Sequence, residues 1–217
     1  MKIYSALLAC TIFLLGISPV DTSAQVTKGR ILPRVGIKAG LNYSNIFSDG
    51  VDRNSLAGFN AGLFAKVPVT GSVSIQPELY FTTKGSRLTY NSTFVNGDAQ
   101  FKLSYLELPV LFVYNLSRHF NIHAGPYVSY LLDGKATNKS SAPIFDFENQ
   151  LKNDDYNRLD AGLAAGLALD VSKISFGARY TYGMTTIGKE NTYAGASYRF
   201  PDGKNSVFNF YVALSFN

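Results

Sequence analysis

Beyond its first two dozen residues the chain alternates apolar and polar positions with a period of two, segment after segment, which is the pattern of strands with one apolar face. In Arg34 to Ile46 the residues Val35, Ile37, Ala39, Leu41 and Tyr43 stand on one parity, against Gly36, Lys38, Gly40, Asn42 and Ser44 on the other. Ala57 to Val67 and Val73 to Tyr90 repeat the scheme, the second setting Val73, Ile75, Leu79 and Phe81 against Ser74, Gln76, Glu78 and Tyr80. Five further segments follow: Phe101 to Tyr114, His119 to Asp133, Asn157 to Val171, Lys173 to Met184 and Ser206 to Asn217. The Ala- and Leu-rich segment at Asn157 imitates a helix in composition, but Gly162, Gly166 and its strict alternation predict a strand.

The links between these segments alternate in length. Short ones fall at Pro68 to Ser72, Asn115 to Arg118 and Val171 to Ser172, and long ones at Phe47 to Leu56, Asn91 to Gln100, Gly134 to Tyr156 and Thr185 to Asn205. Short turns on one rim and long loops on the other are the habit of an outer-membrane meander with both termini on the periplasmic side. The predicted fold class is therefore all-β: a closed antiparallel up-and-down transmembrane β-barrel of eight strands. Every backbone donor and acceptor then finds a partner inside the sheet, as a hydrocarbon environment requires.

Periodicity alone leaves the barrel's sidedness open, because a soluble lipocalin-like lipid carrier uses the same alternation with its apolar face inward. Two features favour lipid outside. Gly and Ala crowd the polar parity, as a narrow eight-stranded interior demands. The apolar parity carries aromatics near strand ends, Tyr43, Tyr114, Phe120, Tyr130, Tyr182 and Phe216, suited to two interfacial girdles. On this assignment Lys38, Lys66, Glu78, Glu107, His123, Asp160 and Arg179 all point into the lumen. The expected arrangement is a structural polar network in which Glu78, Glu107 and Arg179 meet Lys38 or Lys66, since buried charges must be paired.

The first 24 residues change the picture next. Lys2, an apolar run from Ile3 to Val20 and the small residues Thr22, Ser23 and Ala24 read as a secretory signal peptide cut after Ala24. Residues 25–33 form a short N-terminal extension and 34–217 the barrel domain. Cys10, the one cysteine, sits inside the leader, so the mature chain carries no thiol chemistry or disulfide. The leader removes Lys2 and Asp21, one charge of each sign, and leaves the net charge at +5. The basic residues form no run, which excludes nucleic acid as a partner and leaves outer-membrane lipid.

With the strands in place, Gly36-Ile37-Lys38-Ala39-Gly40-Leu41-Asn42-Tyr43-Ser44, Tyr105-Leu106-Glu107-Leu108-Pro109-Val110-Leu111 and Gly125-Pro126-Tyr127 resemble the PorT-type outer-membrane β-barrel family of Bacteroidetes. The Ser-Ala-Gln at the leader's end is similar too. The resemblance implies an eight-stranded barrel inserted by the barrel-assembly machinery, in a family some of whose members are linked to secretion and gliding. The chain ends Phe216-Asn217, whereas many such barrels end on the aromatic itself.

Candidate chemistry adds little. The histidines are His119 and His123, both at the start of the fifth strand, and no serine is placed to serve either as a nucleophile. Asp146, Glu148, Asp154 and Asp155 share the longest loop without the spacing of a calcium loop. No catalytic residue, cofactor or metal is expected. The leading expectation is a non-enzymatic barrel that displays extracellular loops in a structural role or to a protein or glycan partner, with Tyr90, Phe94, Phe145, Phe147, Tyr156 and Tyr193 among the loop aromatics. The alternatives are a narrow pore or secretion accessory, and the soluble carrier.

Overall fold

The computed structural model describes residues 33–47, 54–91, 96–140, 147–150, 157–187, 190–193, 196–199 and 203–216. The leader, Cys10, Phe94, Phe145, Asp146, Asp154, Asp155 and Tyr156 lie outside them, as do the side chains of Tyr90, Phe147, Glu148 and Tyr193. Eight long strands make the wall: β1 (Arg34–Phe47), β2 (Asn54–Pro68), β3 (Val73–Asn91), β4 (Asn96–Asn115), β5 (Phe120–Ser140), β7 (Leu159–Val171), β8 (Ile174–Thr186) and β11 (Lys204–Ser215). A short β6 (Phe147–Gln150) pairs with the far end of β5, and β9 (Glu190–Tyr193) with β10 (Ala196–Arg199) makes a separate ribbon.

Each wall strand pairs antiparallel with its neighbour in sequence. The pairing of β1 with β11 and of β4 with β5 leaves no edge in the ring. Closure is what satisfies the backbone of a sheet in hydrocarbon.

The alternation decides which side meets lipid. Ile37, Leu41, Phe59, Leu63, Phe112, Val128, Leu163, Leu167, Phe176, Phe210 and Val212 are exposed, while Lys38, Asn42, Glu78, Glu107, Asp160, Arg179 and Asn209 on the opposite parity are buried. A charged interior beneath an apolar exterior is the reverse of a soluble lipid carrier, and that alternative is set aside. Tyr43, Tyr114, Tyr130, Tyr182 and Phe216 also face outward. Phe120 and Tyr130 lie ten residues apart on β5. At about 3.3 Å per residue and a tilt near 40° they are about 25 Å apart in height, the span of the apolar band of such barrels.

The strands run further than the alternation of apolar residues indicates. The expected loop from Gly134 begins as strand to Ser140, and β3 and β4 stay paired up to Asn91 opposite Asn96. At the other ends β5 starts at Phe120, one residue past His119, and β11 ends at Ser215. Above the hydrocarbon no lipid demands an apolar face, so the alternation fades although the hydrogen-bonded ladder continues.

A bulge at Leu132 and Asp133 marks the crossing. Tyr105 pairs with Leu131 but Ser104 with Asp133, and both Leu132 and Asp133 point outward. On the opposite rim the β7–β8 turn is only Ser172 and Lys173, with Ser172 at φ 58°.

Candidate functional site

Among the described residues, the buried charges gather in the lumen. Its centre is Glu78 of β3, which accepts from Arg179 Nη1 of β8 at 2.7 Å and Nη2 at 2.9 Å, and from Lys38 Nζ of β1 at 3.0 and 3.1 Å. Gln76 Nε2 adds a bond of 2.7 Å to the same carboxylate. The fork of the guanidinium suits two parallel bonds to one carboxylate. Arg179 Nε donates to His123 Nε2 at 3.3 Å, so the imidazole accepts there. Lys38 Nζ also sits 3.7 Å from the centroid of the Tyr211 ring. Two cations against one carboxylate leave this layer one positive charge in excess.

Toward the long loops lies a second layer of opposite sign. Lys84 of β3 is shared by Glu107 of β4 at 2.5 Å and Asp160 of β7 at 3.6 Å. Tyr80 donates its hydroxyl to Glu107 at 2.7 Å, Tyr127 to Asp160 at 3.1 Å, and Asn205 Nδ2 to Asp160 at 2.9 Å. Toward the short turns Lys66 meets Asp170 at 3.4 Å, with Asn121 and Ser175 also donating to Asp170. Summed over these layers, Lys38, Lys66, Lys84 and Arg179 balance Glu78, Glu107, Asp160 and Asp170. Asn42, Asn60 and Asn209 form a neutral belt among them, with Asn60 and Asn209 both donating to Asn42 Oδ1.

Aromatic rings occupy the space the glycines leave. Gly36 is opposite Phe64, Gly62 opposite Tyr80, Gly162 opposite Tyr127 and Gly177 opposite Tyr211, each pair directly across adjacent strands. A methyl group on Gly177 would collide with the Tyr211 ring. At the loop end Ile46, Leu103, Tyr105, Leu131 and Ile187 close the interior with an apolar cluster. At the turn end a cavity of about 20 Å³, bordered by Lys66, His123, Asp170 and Tyr211, has room for a single water.

All seven residues singled out from the sequence point inward, but they do not form one cluster. Lys38, Glu78, Arg179 and His123 come together. Glu107 is separated from that group and pairs with Lys84 instead, beside Asp160, while Lys66 goes to Asp170. The expectation of a single network is corrected because the eight strands stack their inward residues at different heights. Sequence reading missed Lys84 and Asp170, although both continue the inward parity of their strands, after Thr82 and Ala168 respectively.

His123 is buried against Arg179, and His119 is exposed on the turn rim. Neither imidazole contacts a serine hydroxyl among the described residues. No group of three metal-ligating side chains occurs among the described residues.

The model of the outer membrane protein beta-barrel domain family matches residues 24–188. No curated protein matches. Among solved structures the chain is similar to Ail, the attachment invasion locus protein of Yersinia pestis, at 14% identity and a TM-score of 0.47, over 84% of this chain and 98% of that one. It is similar to Neisserial surface protein A at 13% identity and a TM-score of 0.46, over 85% and 97%. The outer membrane enzyme PagL aligns at 11% identity and a TM-score of 0.32, over 84% and 99%.

Proposed function

We propose a non-enzymatic role for this chain, which belongs to the outer membrane protein β-barrel domain family: its sealed, internally braced wall carries strands and loops to the cell surface for envelope structure or for contact with a protein or glycan partner. The barrel resides in the cell outer membrane, where family members of this architecture place short turns in the periplasm and long connections outside. The observation that carries the reading is the filled lumen. Arg179, Glu78 and Lys38 close the centre with side chains at most 4% exposed, and an apolar cluster closes the loop end. A conducting path would have to part charges that hold one another, which favours this reading over the pore.

The PorT-type affiliation is part of the same proposal. Its most specific stretch, Tyr105 to Pro109, lies on β4 with Tyr105 and Glu107 turned inward beside Lys84. Insertion by the barrel-assembly machinery also belongs to this reading, supported by the outward alternation of Phe208, Phe210, Val212 and Leu214 along the last strand and of Phe216 just past it.

The test compares the full chain with one in which residues 141–156 are replaced by a short Gly/Ser turn. In planar bilayers the full chain is expected to give no unitary current steps. In cells lacking the protein, detergent resistance should return with the full chain and not with the loop-shortened one, while both keep a heat-shifted band on a detergent gel. Current steps, or full restoration by the shortened chain, would overturn the reading.

A further inference from the structure

The outward face changes character where the bulge ends the apolar band. Leu106 and Tyr130 are partners across β4 and β5, both outward and about two-fifths exposed, at 42% and 41%. Four residues further along β4 stands Lys102, exposed and directly opposite Lys135 of β5. Arg87 of β3, also exposed, faces Gln100, the next outward position on β4 beyond Lys102. Exposed Arg158, just before β7, donates from Nη1 to the hydroxyl of Tyr130 at 3.0 Å, which puts its guanidinium on the girdle itself. Asp133 is the acidic side chain described on the same face.

The height of these groups fixes what they meet. Four residues of tilted strand raise Lys102 about 10 Å above the girdle. The polar head-group layer is about 5 to 8 Å thick on each side of the hydrocarbon. Lysine and arginine stems lie along apolar surface and carry their charges to that layer.

We propose that the outward face of β3, β4, β5 and the start of β7, above the loop-side girdle, is a binding surface for phosphate-bearing lipid head groups of the outward leaflet, which Arg87 and Lys102 hold on its upper part and Arg158 at the girdle. The site rests on the barrel's place in the outer membrane and not on what the loops contact, so it stands or falls separately from the display reading. Arginine offers forked donors to the phosphate oxygens, and Lys102 a mobile point charge.

The test reconstitutes the full mature chain in phosphatidylcholine bilayers containing a trace of spin-labelled phosphatidate or, in parallel, spin-labelled phosphatidylcholine. The wild-type chain should immobilise phosphatidate in preference by about fivefold, the ratio corresponding to one well-placed cation. R87A/K102A should bring that ratio close to one, R87K/K102R should keep it, and R118A/K173A on the turn rim should change it little. All variants are checked for the heat-shifted band. Absence of a preference in the wild-type chain, or equal losses in R87A/K102A and R118A/K173A, would overturn the site.

Discussion

Arg179 and Glu78, 101 residues apart in sequence, are held across the barrel lumen by two hydrogen bonds of 2.7 and 2.9 Å. The pair is buried, and Lys38 completes it from a third strand. Removing the shared anion is therefore worse than removing one of its two cations. Glu78→Gln, which leaves two unpaired positive charges, should cost about 3 to 5 kcal/mol of unfolding free energy. Arg179→Met leaves Lys38 and Glu78 as a neutral pair and should cost less. Urea unfolding in lipid vesicles ranks the two, and the opposite order would refute the charge count.

The loop-side layer carries the reverse imbalance and gives the reverse prediction. Lys84→Met strands Glu107 and Asp160 together and should destabilise the barrel by a similar 3 to 5 kcal/mol, about the cost of an unpaired buried charge. Adding Asp160→Asn should recover part of that loss, because Glu107 keeps the Tyr80 hydroxyl. A double variant no more stable than Lys84→Met alone would show that the two carboxylates do not compete for the one ammonium.

Gly177 and Tyr211 test the packing of ring against glycine. Gly177→Val places methyl groups where the Tyr211 ring lies, and overpacking of this kind costs about 1 to 3 kcal/mol. Tyr211→Ala in the same chain should relieve the clash while losing the ring's contact with Lys38. The cycle of single and double variants, read by the unfolding midpoint, should show a coupling well above additivity.

At the β7–β8 turn Ser172 has φ 58°, in the region that disfavours a side chain. Ser172→Gly should raise stability by about 0.5 to 1 kcal/mol, the relief of a strained turn position less the added freedom of the unfolded chain. An unchanged or lowered unfolding midpoint would mean that the seryl side chain supports the turn.

Much of this architecture is legible along the chain because lipid and lumen impose opposite demands on successive residues. The inward facing of Lys38, Glu78 and Arg179 follows from parity alone, as does the outward facing of Tyr43 and Phe216. Parity does not carry height. Glu107 lies on the same face as Glu78 but at another level, and its place beside Lys84 depends on the register of β3 against β4. The extension of β5 past Gly134 was hidden for a different reason: beyond Asp133 the ladder persists in water, where nothing selects an apolar partner. Lys84 shares the inward parity of Thr82, two positions before it, but stands where the apolar alternation of β3 has already ended at Phe81. The facing of glycines by rings needs just the register of strands consecutive in the wall, with no pair drawn from the closing β1–β11 contact.

The cancellation of charge inside the wall has a consequence for how this sequence can drift. A substitution at Glu78 or Lys84 taken alone strands two like charges, so descent through single changes is steep at these positions. Related chains should differ there two positions at a time, exchanging partners together, while the lipid face between the girdles wanders freely among Leu, Val, Ile and Phe. The lumen would then preserve ancestry longest in its pairings rather than in its individual residues.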